Sequence, residues 1–111
     1  MATLLGTATN DNLIGGSGDD SISGLGGNDF LRSSAGTNST LDGGAGNDTL
    51  DGFSGNSLLQ GGDGNDYIIA YGDNSTLDGG AGDDTLSFSG ASPNINGNVL
   101  RGGDGNDRAM W

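Results

Sequence analysis

The strongest constraint on this chain is a nine-residue phrase, G-G-x-G-x-D-x-U-x with U apolar, repeated along nearly its whole length. The stretch "GGAGNDTLDG" at residues 43–52 returns as "GGAGDDTLSF" at residues 79–88, and "GGDGNDYII" begins between them at Gly61. With U set at position eight, eleven units begin at Gly6, Gly15, Gly24, Ser34, Gly43, Gly52, Gly61, Ala70, Gly79, Pro93 and Gly102. Ser33 and the five residues 88–92 interrupt the register. The U column reads Leu13, Ile22, Leu31, Leu41, Leu50, Leu59, Ile68, Leu77, Leu86, Leu100 and Ala109. A flexible Gly/Asp/Ser linker has no reason to place Leu or Ile at every ninth residue. A short fixed period instead builds a solenoid, in which each unit buries its apolar residue against its neighbours.

Each part of the phrase has a physical use. Glycine permits positive φ and close backbone approach, so a turn can aim carbonyls inward. In the strand that follows, residues seven and nine point outward and residue eight points in. Stacked units therefore make a thin core of Leu and Ile. That core is small. Only 31% of the chain is hydrophobic, and 15 Asp+Glu against 3 Lys+Arg give a net charge of −12. Such a chain lies near the disordered boundary, because burial cannot offset chain entropy and the charges repel. Something besides an apolar core must hold the fold, and the excess of Asp suggests a hard cation. Calcium, which takes six to eight oxygens in flexible geometry, suits such residues. With no Cys and no His, disulfides, thiolate or histidine zinc sites and His-assisted catalysis are excluded. The acidity argues against nucleic acid or anionic membrane as partners through charge. No apolar run approaches a membrane span, so no membrane insertion is expected.

In its turns "GGAGND", "GGDGND" and "GGAGDD" the chain resembles the repeats-in-toxin (RTX), or haemolysin-type, calcium-binding family. The resemblance implies an all-β fold, a right-handed parallel β-roll (β-solenoid) with two nonapeptides per turn. It implies one domain over residues 1–111, with repeats from about 6 to 110 and an insertion at 88–92. In the family, a six-residue turn binds calcium between consecutive turns through backbone carbonyls and one Asp from each. Carried over, the carboxylates are Asp11, Asp29, Asp48, Asp66, Asp84 and Asp107. The turn backbones are Gly24 and Gly26; Gly43, Gly44, Ala45 and Gly46; Gly61, Gly62, Asp63 and Gly64; Gly79, Gly80, Ala81 and Gly82; and Gly102, Gly103, Asp104 and Gly105.

Two nonads per turn put alternate units on the same edge of the roll. One edge then carries Asp at position six in all six of its units, the residues just named. The other reads Asp20, Ser39, Ser57, Ser75 and Asn98. Six stacked Asp turns give up to five calcium sites. The first is weakened because "GTATND" lacks the second and fourth glycines, and the last is strained by residues 88–92. On the second edge Asn38, Asn56 and Asn74 precede the serines. They are expected to form an Asn ladder, each amide bonding to its neighbours above and below, with the serines closing turns. This edge is therefore expected to be held by hydrogen bonds rather than metal, unlike the family pattern.

No catalytic constellation is visible, because the acidic side chains already have a repeating structural use and no Cys, His or Lys stands beside them. The chain is therefore read as not an enzyme. Outward positions such as Phe30, Leu58 and Tyr67 break any regular threonine array, which disfavours ice binding. The opening "MATLLGTATND" has neither a basic n-region nor an apolar h-region, so no cleavable signal is expected there. Repeat sequence runs from Gly6 to Met110, so both ends of the stack are expected to be open. Two functions follow. One is a calcium-dependent extracellular structural protein that joins head to tail into a filament or matrix. The other is a calcium-triggered folding module of a larger secreted toxin, enzyme or adhesin. The expected partner is the protein itself, with extracellular polysaccharide or a cell surface as a further one. The family implies secretion by a bacterial type I-like route.

Overall fold

A computed structural model describes residues 2–33, 38–53, 55–88 and 97–110. The described residues form twelve short strands and no helix. The odd-numbered strands are β1 (Ala2–Leu5), β3 (Asp20–Ser23), β5 (Thr40–Ala45), β7 (Leu58–Asp63), β9 (Thr76–Ala81) and β11 (Val99–Arg101). The even-numbered strands are β2 (Asn12–Ile14), β4 (Phe30–Ser33), β6 (Thr49–Gly52), β8 (Tyr67–Ala70), β10 (Thr85–Phe88) and β12 (Arg108–Met110). Each set makes one six-stranded sheet in sequence order, and all pairing is parallel. The chain thus crosses from one sheet to the other at every nonad and returns one rung further on. It is the expected parallel β-roll.

The register is the eighteen-residue step of the sequence: Thr49 pairs with Tyr67 and Tyr67 with Thr85. Every position-eight residue from Ile22 to Leu86 is at most 1% exposed. At roughly 1.5–3 kcal/mol for each fully buried aliphatic side chain, this column is the main apolar contribution to the fold. The ends are less protected: Leu13 and Leu100 are partly buried and pack on the core, whereas Ala109 is exposed. Ala109 therefore belongs to the column in register but not in burial.

Three features depart from the reading above. β1 precedes the first repeat and pairs with β3, placing Leu4 beside Ile22 and against the core. The odd strands β5, β7 and β9 run past the apolar residue into the glycine turn, so Gly44, Gly62 and Gly80 stay paired. Ser33 is not an interruption, since it pairs with Gly52 and is fully buried. The extra residue of that unit falls within 34–37, outside the described residues. Phe88 likewise continues β10, pairs with Ala70 and is 7% exposed; the rest of the 88–92 insertion lies outside the described residues.

Candidate metal centre

Between the end of each odd strand and the start of the next even strand runs the Asp-bearing turn. Its last two residues form two side-chain ladders that run in opposite directions. At position six, each Asp backbone N–H donates to Oδ1 of the Asp one turn on. Asp29 donates to Asp48, Asp48 to Asp66 and Asp66 to Asp84, each at 2.8 Å. Asp11 begins the series on Asp29 at 2.8 Å and Asp84 ends it on Asp107 at 3.0 Å. At position five the direction reverses, with Asn28 N–H donating to Asn10, Asn47 to Asn28, Asn65 to Asn47, Asp83 to Asn65 and Asn106 to Asp83. The backbone amides of these turns are thus satisfied by side chains of neighbouring turns.

This arrangement uses only one oxygen of each ladder carboxylate. Oδ2 of Asp29, Asp48, Asp66 and Asp84 is buried and has no hydrogen-bond partner. Each is aimed at the first glycine of its own turn. A Cβ built on Gly43 would run into Asp48 Oδ2 and the carbonyl of Gly61, one turn on; Gly24 and Gly79 face the matching pairs, Asp29 with Gly43 and Asp84 with Gly102. Gly61 faces Asp66 Oδ2. A small space over a bare Cα therefore collects a carboxylate oxygen and a carbonyl oxygen from adjacent turns. Position-two glycines have a different use. At Gly62, φ of +95° and the Gly44 carbonyl stacked directly beneath it leave no room for a side chain.

The electrostatics are those of a site short of positive charge. Burial pushes Asp48 up to about 6 and Asp66 up to about 7, while a backbone N–H pulls each back and carboxylates of adjacent turns add repulsion. Burial also raises Asp84. An unpartnered buried carboxylate is costly unless protonated or paired with a cation. No group of three acidic side chains gathers anywhere among the described residues. A cation here would therefore be held by one carboxylate per turn together with backbone carbonyls. That donor set is all oxygen, which fits a hard divalent ion such as calcium.

The two end turns differ. Asp11 Oδ2 accepts the Thr7 N–H at 2.6 Å and the Thr7 hydroxyl at 3.1 Å. Thr7, at the position held by Leu25 in the next turn and by Gly44, Gly62, Gly80 and Gly103 in the later ones, already occupies the first cradle. Asp107 is exposed, and its Oδ2 lies over Gly102. Of the turn residues named from the sequence, Gly26 stacks on Ala8 instead of on a glycine carbonyl. Ala45, Asp63, Ala81 and Asp104 place their side chains on the exposed outside of their turns, leaving only their backbone available.

The second edge has its ladder, but the rungs are position-six side chains. Asp20 N–H donates to Ser39 Oγ at 3.2 Å, Ser57 to Ser75 Oγ at 3.2 Å and Ser75 to Asn98 Oδ1 at 2.7 Å. Asn38, Asn56 and Asn74 also shape the turns of this edge. Their φ values of 64°, 56° and 59° are left-handed, a conformation Asn tolerates better than most residues. An asparagine ladder also runs along the Asp edge, through Asn10, Asn28, Asn47 and Asn65. Asp20, expected from the sequence to belong to a hydrogen-bonded edge, is 3% exposed and neither carboxylate oxygen has a partner. Its signal was available, since "GGSGDD" at residues 15–20 is a complete turn phrase.

A family model described as an RTX calcium-binding nonapeptide repeat matches the chain four times, over residues 5–39, 36–56, 51–86 and 94–109. No curated protein and no solved structure matches it.

Proposed function

Because the chain belongs to the RTX calcium-binding nonapeptide repeat family, we propose that it is a calcium-dependent structural protein of the extracellular space whose folding is driven by the ion. The observation that supports this is the column of four buried, unpartnered Asp oxygens on Asp29, Asp48, Asp66 and Asp84. The residues that would hold calcium are these carboxylates with first-glycine carbonyls of the following turns. Bound there, the ion supplies the positive charge that the buried column lacks. Four ions per chain follow rather than five, since Thr7 holds Asp11. Extracellular modules work at the high calcium concentrations found outside cells, which favours secretion, by the type I-like route of the family. Far-UV circular dichroism tests the reading: the calcium-free chain goes from disordered to β on adding calcium and returns in EDTA. A full β spectrum persisting in excess EDTA would refute it.

The finer reading is head-to-tail growth. Each Asp N–H in the column meets the carboxylate of the next turn, and a second copy's Asp11 would do this for Asp107. Laying β1 and β2 of one copy on β11 and β12 of another would also cover Leu5, Ile14, Val99 and Met110, each at least 40% exposed. Such a contact is heterologous and need not close, so it makes a filament. Thin filaments in millimolar calcium, seen by electron microscopy and dissolved by EDTA, are the expected result. Monomers under those conditions would instead favour a folding module within a larger secreted protein. The reading assigns the chain no catalysis.

A further inference from the structure

The two outer faces of the roll are chemically unlike. The sheet of even-numbered strands presents Phe30 and Tyr67 at its strand starts, both more than a third exposed, with Phe53 and Tyr71 just past the ends of β6 and β8. The Phe53 and Tyr71 rings lie 6.0 Å apart, and the Arg32 guanidinium sits 5.3 Å from the Phe53 ring. Arg32 Nε also lies 3.7 Å from Asp51 Oδ2, and its side chain is 44% exposed. Ring and carboxylate thus fix the guanidinium at the surface, and its terminal nitrogens have no further partner among the described residues.

The opposite face carries no aromatic side chain in its strands. In register on β5, β7 and β9 stand Asp42, Gln60 and Asp78, one per turn. Rungs are spaced about 4.8 Å apart, so the two carboxylates flank Gln60 one rung to either side. These three and the bare floor of Gly62 and Gly80 line a groove of about 230 Å³. None of the three side chains has a partner among the described residues.

We infer that folded rolls stack side by side, the Arg32 face of one copy seated on the Asp42–Gln60–Asp78 groove of a second copy. Asp51 and Phe53 engage one side of the Arg32 guanidinium, its free end would meet the carboxylates of the groove, and a guanidinium suits bidentate pairing with a carboxylate. Both surfaces share the rung spacing, and the column of Arg32 continues as Ile14 on one side and Asp51 and Ile69 on the other, so the guanidinium fixes which turn meets the groove. The molecule measures 38 × 34 × 15 Å, and its broad face exceeds the roughly 800 Å² per partner of a standard interface. The contact joins two different faces, so it propagates sideways. It requires the calcium-folded roll proposed above, but not growth through the ends.

Sedimentation velocity in millimolar calcium tests this, with electron microscopy to read lateral width. The wild-type chain forms concentration-dependent stacks that disperse as salt rises. Arg32→Ala and the double variant Asp42→Asn with Asp78→Asn each raise the concentration needed about thirtyfold, the weight of an interface hot spot. Mixed in equal amounts, the two variants leave one intact pair of faces and give a dimer that grows no further. Circular dichroism in calcium confirms that each variant is folded, and single-width filaments, if the ends also join, persist in both. Lateral stacks unchanged in Arg32→Ala overturn the inference. So does a wild-type roll that folds yet never widens. A roll that fails to stack but is retained on an insoluble glycan, and released by Tyr67→Ala, gives this face to a sugar chain instead.

Discussion

Replacing Asp66 by Asn separates the two uses of a ladder carboxylate. The amide oxygen can still accept the Asp48 N–H, a bond of 2.8 Å, while the buried, unpartnered Oδ2 becomes an uncharged NH₂. Without calcium, the wild-type group is pushed by burial from 3.8 to about 7. A shift of that size corresponds to about 4 kcal/mol of stability withheld from the calcium-free fold near neutral pH. The variant relieves this, less about 1–3 kcal/mol for burying an amide without a second partner. It should therefore fold more readily than wild type in EDTA, by about 1–3 kcal/mol, when folding is driven by an osmolyte such as sucrose. In calcium the sign inverts, because one carboxylate has left the column and the midpoint of the calcium titration rises. Far-UV circular dichroism reads both. If Asp66→Asn weakens folding equally in EDTA and in calcium, the carboxylate is only a hydrogen-bonding group and the argument fails.

Other consequences follow from the same geometry. Asp48 and Asp66 have carboxyls raised from 3.8 to about 6 and about 7. A raised carboxyl stabilises the fold fully below its unfolded value and loses that contribution as pH climbs through the folded one. In EDTA, circular dichroism should accordingly show more β structure near pH 4 than near pH 8, and calcium should reverse the order because protons compete for the same oxygens. Gly43→Ala places a methyl against Asp48 Oδ2 and the Gly61 carbonyl. It should remove one ion from the calorimetric count, whereas Gly16→Ala, with nothing within 4 Å, should leave the count unchanged. Thr7→Gly withdraws the hydroxyl on Asp11 and permits the positive φ of Gly44, Gly62 and Gly80, in whose turns the Asp Oδ2 has no partner, so equilibrium dialysis should find one more calcium per chain.

Much of this molecule is legible in the period alone. Leu and Ile at every ninth residue give the core column, and the eighteen-residue step gives the parallel register and the Asp edge. What escaped the sequence depends on direction and on neighbours rather than on period. β1 lies ahead of the first glycine phrase, so only the pairing of Leu4 with Ile22 reveals it. Asn38 and Asn47 look alike in sequence, yet one takes a left-handed φ and the other donates and accepts within a ladder. Backbone conformation decides between these uses, and residue identity does not. Thr7 reads as a degenerate glycine, but its hydroxyl and N–H fill the first cradle. Ser33 and Phe88 appear to break the repeat because the period is counted along the chain, while burial and pairing keep both in the sheets.

The most direct measurement is a count of calcium ions on the folded chain. Native mass spectrometry of the calcium-titrated protein, read beside circular dichroism of the same samples, reports occupancy and folding together. The account predicts four ions, taken up over the same calcium range in which β structure appears. A chain that acquires its β structure with no calcium bound would contradict it.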